Sequence, residues 1–165
     1  VTPDLAGIVH SAGILKDGML AGQTWQNFSD VYDAKNRGAL YIHFALETLA
    51  EKNPNFSFYW LFSSAAVYGS MGQVNYSGSN SYNDCLARHR RALKKPITVM
   101  QWGAWGEVGM AANLDEMSQA RMKKGPMPPF STADGLRGME DGLATGLPYY
   151  LVMAMNPEVL AYTML

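Results

Sequence analysis

The sequence predicts an α/β domain, a parallel sheet wound with helices on both faces. Three observations lead there. Short apolar runs alternate with longer stretches of helical periodicity, the pattern of strands joined by crossover helices. The apolar runs are nearly continuous and do not alternate with polar residues, so their strands are covered on both sides. At 165 residues, 48% hydrophobic and 16% charged, the chain can bury a core and lacks the composition of a disordered segment.

The elements follow in order. Leu5–His10 is a short apolar strand that runs into the tight turn Ser11-Ala12-Gly13. After a polar loop to about Gln23, Thr24 is placed to cap a helix beginning at Trp25, which continues, with a break near Gly38, to about Ala50. Asn53–Asn55, with Pro54 at its centre, is a turn. Phe56–Phe62 is rich in aromatic residues and predicts a central strand. Ser63–Gly72 is a loop of small residues. Asn75–Leu93 predicts a long helix ended by Pro96, and Ile97–Trp102 another buried strand. Gly103–Pro129 is rich in Gly, Met and Pro, and residues 104–130 are expected to form a lid-like loop with short helical pieces. Ser131-Thr-Ala-Asp134 is similar to a capping box and starts a helix to about Ala144. Tyr149–Met155 is a last apolar strand.

Composition excludes several classes. A formal net charge of -1 gives no overall pull toward nucleic acid or an anionic membrane. No apolar run approaches the roughly 20 residues of a membrane helix. The single cysteine, Cys85, cannot form an internal disulfide, which fits a reducing compartment, the cytoplasm or a plastid. His10, His43 and His89 show no metal-ligand spacing with Cys85. The chain begins at Val1 with no signal peptide and is expected to be an internal piece of a longer protein.

Sheets of this kind bind ligands outside the carboxyl ends of their strands, so the turns that begin at Ser11, Ser63 and Gly103 are where chemistry is expected. The first carries His10-Ser-Ala-Gly13. The second carries Ser63 and Ser64, then Gln73-Val-Asn-Tyr76-Ser-Gly-Ser-Asn80. The third carries Gln101-Trp-Gly-Ala-Trp-Gly106 and Glu107-Val-Gly-Met110. Lys35, in Asp-Ala-Lys-Asn-Arg-Gly-Ala, lies on the helical stretch between the first two strands.

Taken in this order, the motifs resemble the short-chain dehydrogenase/reductase superfamily. Within it they are most similar to the ketoreductase domains of modular polyketide synthases and animal-type fatty acid synthases, over nearly the whole chain. Most of the superfamily carries Tyr-x-x-x-Lys. Here Asn80 stands four residues after Tyr76, and the lysine comes from the earlier helix as Lys35, the arrangement of synthase ketoreductases. The resemblance implies a doubly wound, Rossmann-like sheet entered at its fourth strand, with the first strands missing. It implies NADPH-dependent reduction of a β-ketoacyl thioester to the β-hydroxyacyl thioester. The partners implied are an acyl carrier protein bearing the phosphopantetheine-tethered substrate and neighbouring synthase domains, with no nucleic acid, membrane or metal. The alternatives are a stand-alone reductase of free carbonyls and a non-catalytic structural fragment.

Site roles follow from the resemblance and from charge. Reducing a ketone places negative charge on oxygen as hydride arrives, so the site must supply a proton and stabilise that charge. Tyr76 is the expected donor, Ser64 a second hydrogen bond to the carbonyl, and Asn80 part of the proton relay. Bringing a phenol from ~10 to ~7 takes roughly 4 kcal/mol, and the Lys35 ammonium has the required sign. The family's active serine is the second of a pair and usually thirteen residues before the tyrosine. Here Ser63 is at thirteen and Ser64 at twelve; the strand-end alignment favours Ser64, with Ser63 the alternative.

Ala12, Gly13, Gly103 and Ala104 are expected to pass beside the cofactor. Asp17, Asn75 and Met110 are expected to shape the substrate site, and the first two resemble the subtype that makes the D-configured hydroxyl. Trp102 and Trp105 read equally well as core or as channel. Arg88–Arg91 with Lys94 and Lys95 reads as a solvated helix end that complements the helix dipole, with carrier-protein docking as the alternative. No two glycines are spaced i, i+2, so Gly-x-Gly-x-x-Gly does not occur, and this segment alone is expected to bind NADPH weakly or not at all.

Overall fold

Successive side chains of a strand point to opposite faces of its sheet, and here the two faces build two separate cores. A computed structural model describes residues 4–164. Strands β1 (Gly7–His10), β2 (Phe58–Ser64), β3 (Thr98–Trp102) and β4 (Tyr149–Val152) are all parallel and lie side by side in chain order. Between β1 and β2 run α1 (Trp25–Tyr32), a π-helical turn (Asp33–Arg37) and α2 (Gly38–Lys52). Helix α3 (Val74–Ala92) joins β2 to β3; α4 (Gly109–Ala112), α5 (Glu116–Lys123) and α6 (Thr132–Ala144) lie between β3 and β4, and α7 (Pro157–Met164) follows.

On one face Tyr59, Leu61 and Val99 pack against Ala39 and Leu46 of α2 and Leu86 and Ala87 of α3. On the other, Met100, Trp102 and Val152 pack with Phe130 and with Met139 and Leu143 of α6. The strands advance in one direction throughout, so the change of face means that the β3–β4 crossover has the opposite hand to the first two. Opposite-handed crossovers are rare; this one has the long Gly-, Met- and Pro-rich segment in which to make the passage.

Most local expectations are met where the signal is local. The Thr24 hydroxyl accepts from Asn27 N at 3.2 Å, and the Ser131 hydroxyl accepts from Asp134 N at 3.1 Å, so both predicted caps form. The break near Gly38 is the π-helical turn. Strand β2 starts later than expected and continues through Ser63 and Ser64, because both stay in the ladder opposite Gln101 and Trp102. Strand β4 stops at Val152, and α7, with Pro157 at its first position, was not anticipated.

The basic run is solvated at Arg88, His89, Arg91 and Lys94, as expected, and is corrected at Arg90. Arg90 is 2% exposed: its guanidinium donates to His43 Nδ1 at 2.8 Å and to the Pro96 carbonyl at 3.3 Å, and lies 5.3 Å from the Tyr59 ring centroid. Arg91 donates to the Gly146 carbonyl, Lys95 pairs with Glu47, and Arg88 stacks on Tyr149. A long amphipathic side chain at a helix end can turn inward when a carbonyl or ring lies within reach, and helical periodicity does not report that.

Helix α6 lies close on the sheet through glycines. A Cβ at Gly142 would sit 2.0 Å from Tyr150 Cε2, and one at Gly138 would sit 2.5 Å from Val152 Cγ1. Alanine is otherwise preferred in a helix, so backbone propensity alone predicts that Gly142→Ala stabilises. The clash predicts the reverse: a cost of about 1–3 kcal/mol, measured as a lower Tm in a thermal melt.

Candidate active site

The carboxyl ends of β1, β2 and β3 lie on one edge of the sheet, and α3 begins beside it. Tyr76 and Asn80 are one turn apart on the buried side of α3, at 7% and 0% exposure. Ser63 and Ser64 end β2. Adjacent strand residues point to opposite sides, so only one of the two can meet the phenol. The Ser64 side chain is the one near enough to the Tyr76 phenol to pull its pKa down, and its Oγ accepts from Ala66 N at 3.1 Å, which starts the short 3-10 turn Ala65–Tyr68. Ser63 turns away: its hydroxyl donates to the Asn80 carbonyl at 3.4 Å.

Lys35 reaches the same place from the π-helical turn. It is 3% exposed, its amine donates to the Phe62 carbonyl at 2.7 Å, and Nζ lies 5.6 Å from the Tyr76 ring centroid. Burial pulls its pKa down to about 8. Burial also pushes the Tyr76 phenol up, while hydrogen bonds from Ser64 and Asn80 pull it back and the Asp17 carboxylate adds to the rise. This corrects the expectation of a phenol brought to ~7. Desolvation disfavours the charged form of both groups, so lysine moves down and tyrosine up. At neutral pH the phenol keeps its proton and the amine is mostly charged.

The Asn80 Nδ2 donates to the Tyr76 carbonyl at 2.8 Å, and its Oδ1 is buried with no protein partner among the described residues. Asp17 and Asn75 stitch the first loop to the start of α3: Asp17 Oδ2 accepts from Gln73 Nε2 at 2.9 Å, and Asn75 Nδ2 donates to the Lys16 carbonyl at 2.9 Å. In the turn after β1, Ser11 and Ala12 are exposed, and a Cβ at Gly13 would sit 3.5 Å from Lys35 Nζ. This small, open turn beside a cation and a phenol fits the flat face of a nicotinamide ring.

After β3 the chain is tied down differently. Gly103 has no room for a side chain, since a Cβ would sit 2.9 Å from Met153 Cβ, and the Ala104 carbonyl accepts from Phe130 N at 3.0 Å. Gly106 N returns a bond to the Phe130 carbonyl at 2.9 Å, so the two ends of the 104–130 segment are pinned together. Met110 sits on α4, about half exposed. Trp102 is core, packed edge-on against Phe62 and tilted against Trp105, and Trp105 packs on Phe130.

Sequence reasoning missed the layer beneath. Asp84 Oδ2 accepts from Gln101 Nε2 at 2.7 Å, Gln101 Oε1 accepts from Tyr68 Oη at 3.0 Å, and burial raises the Asp84 carboxyl. One signal was available: Tyr76, Asn80 and Asp84 recur every four residues, a polar stripe on a helix with few apolar alternatives to bury. Among the described residues there is no cluster of three or more His, Cys, Asp or Glu that could hold a metal, and no helix is long and apolar enough to cross a membrane.

Residues 1–107 match the family model of the KR domain. The chain belongs to the KR, or ketoreductase, domain family. This KR chain is 34% identical over 158 residues to polyketide synthase GfsB of Streptomyces halstedii, covering 94% of its own length and 3% of the synthase. It is also 34% identical over 160 residues to the putative inactive phenolphthiocerol synthesis polyketide synthase Pks1 of Mycobacterium tuberculosis; the match covers 96% of this chain and 10% of that one. Its fold superposes on an A-type ketoreductase of a modular polyketide synthase with a TM-score of 0.86 at 30% identity, over 97% of this chain and 33% of the other. The KR chain thus spans about a third of the solved ketoreductase and a few per cent of the curated synthase GfsB. The family and fold imply reductase chemistry with a nicotinamide cofactor.

Proposed function

We propose that this chain carries the catalytic side chains of an NADPH-dependent β-ketoacyl reductase, acting within a polyketide or fatty acid synthase. Its substrate is a thioester held on an acyl carrier protein by phosphopantetheine. One observation carries the reading: Lys35, Ser64, Tyr76 and Asn80, from three separate elements, converge on one carboxyl edge of the sheet. The cofactor supplies hydride to the carbonyl carbon.

This chain's residues do the rest. Tyr76 Oη, protonated at neutral pH, donates to the carbonyl oxygen as charge develops there. Ser64 Oγ is the second donor to that oxygen. The Lys35 ammonium offsets the phenolate left behind, and Asn80 Oδ1 receives a donor of the relay that reprotonates it. Ala12, Gly13, Gly103 and Ala104 line the nicotinamide side. Asp17 and Asn75 fix the loop that orients the ketone, giving the D-configured hydroxyl. Segment 104–130, with Met110, covers the substrate as a lid. The lone cysteine is exposed and free, which fits a reducing compartment such as the cytoplasm or a plastid.

The test is NADPH oxidation by the full-length protein with a β-ketoacyl thioester, with product quantified by chiral chromatography. One D-configured hydroxyl formed per NADPH is expected; folded protein that leaves NADPH untouched removes the proposal. Within that assay, Ser64→Ala is expected to lower kcat by about 10²–10³-fold, the usual cost of an oxyanion donor. Ser63→Ala is expected to stay within about threefold, because its hydroxyl is turned to the Asn80 carbonyl. The reverse ranking assigns the donor role to Ser63.

A further inference from the structure

We propose that His10 and Asn36 are positioning residues that aim Lys35 at Tyr76, one holding the π-helical turn from β1 and the other fastening it to α3. The inference rests on the reading of Lys35 and Tyr76 as a catalytic pair. A buried lysine left to itself would extend toward water, since its ammonium is poorly served by an apolar interior. Something must hold it in, and the turn that carries it is gripped on both sides.

A π-helical turn is rare and concentrates at functional sites. In this one the Lys35 carbonyl accepts twice, from Gly38 N and from His10 Nε2 at 2.8 Å. A carbonyl can only accept, so the His10 ring carries its hydrogen on Nε2. His10 is 9% exposed and spans from the end of β1 to this single carbonyl. Gly38 makes the approach feasible: a Cβ there would lie 3.0 Å from His10 Cε1. Its φ of -58° is ordinary helix, so backbone freedom is not the reason for glycine; space for the ring is.

The next residue grips the other side. Asn36 is 0% exposed, and its Nδ2 donates to the Ser79 carbonyl at 2.7 Å and to Asn83 Oδ1 at 3.2 Å. Its Oδ1 accepts from the Ser79 hydroxyl. Ser79 and Asn83 flank Asn80 on α3, the helix that presents Tyr76. Consecutive residues of one turn are therefore bound to β1 and to α3, and the Lys35 amine itself ends on the Phe62 carbonyl of β2. This fixes where the ammonium stands relative to the phenol ring.

The test uses the full-length protein and follows kcat, KM and the pH profile of ketone reduction. His10→Leu removes the donor while filling much of the space; His10→Gln keeps an N–H that can reach the same carbonyl. His10→Leu is expected to lower kcat about 10–100-fold with KM nearly unchanged, as for a displaced catalytic group. It is also expected to move the alkaline limb of the profile upward, because a loosened amine regains water, and His10→Gln is expected to recover both. Where His10→Leu yields no soluble protein, Gly38→Ala crowds the ring from the helix side and is read in the same way. Unchanged kcat, or a loss with the pH limb unmoved and no recovery by glutamine, overturns the proposal. Lys35→Met separates the two layers. If it retains normal turnover and pH profile, the catalytic pairing itself fails and the clamp with it. If it abolishes turnover while His10→Leu is normal, the clamp alone fails.

Discussion

Tyr76→Phe in the full-length protein is expected to lower the rate of ketone reduction by about 10²–10⁴-fold, the contribution of a positioned proton donor. The change removes one oxygen and nothing else. The ring keeps its place beside Val31 and Ala66 and stays under the Lys35 amine, so the fold has no reason to yield. Ser64 keeps its bond from Ala66 N. Cofactor affinity is expected to hold within about twofold, because the phenol's task is to protonate the carbonyl oxygen in the transition state rather than to bind the ground state. Single-turnover kinetics with a fluorescence titration of NADPH measures both. Substantial turnover by the phenylalanine variant would take the proton from some other group, and Ser64 would be the one left beside the carbonyl.

The second large effect belongs to Lys35 and is a pH effect. The ammonium is the active form in this chemistry, and burial brings its pKa down to about 8. The wild-type kcat is therefore expected to be level below about pH 7 and to fall as pH rises through 8, by up to tenfold per unit where the lysine is the controlling group. The sign is decisive: a rate that climbs through that range would make the neutral amine the working form. Lys35→Met is expected to cost about 10²-fold or more and to erase this limb. It is not expected to lower Tm, since replacing a buried cation by an apolar chain of similar length removes a desolvation cost. Lost activity with retained or raised stability would separate electrostatics from folding.

Local features of this chain were legible early. Thr24 and Ser131 cap the helices they were expected to cap, because a cap depends on a hydroxyl and an amide three residues apart. The aromatic run after Pro54 and the apolar run after Pro96 are strands, and the strand–helix alternation required a parallel sheet. The departures have physical causes. Strand β2 reached Ser64 because ladder pairing with Gln101 and Trp102 outweighs the turn preference of two serines. Arg90 reads as a solvated cation on a helix, yet it is sealed beneath Tyr59 and His43, which lie tens of residues away. Trp102 is equally apolar whether it lines a channel or a core; Phe62, Trp105 and Phe130 around it make it core.

What the sequence alone determined is the strand–helix alternation, the two helix caps and the order of the motifs at the strand ends, because strand ends, caps and a Tyr-x-x-x-Asn spacing are written within a few positions of each other. The tertiary structure alone decided which serine meets the phenol, how a π-helical turn delivers Lys35, and that lysine and tyrosine shift in opposite directions. Those outcomes depend on dielectric surroundings and on contacts between strands and helices distant in the chain, and both exist only once the two cores have closed on the sheet.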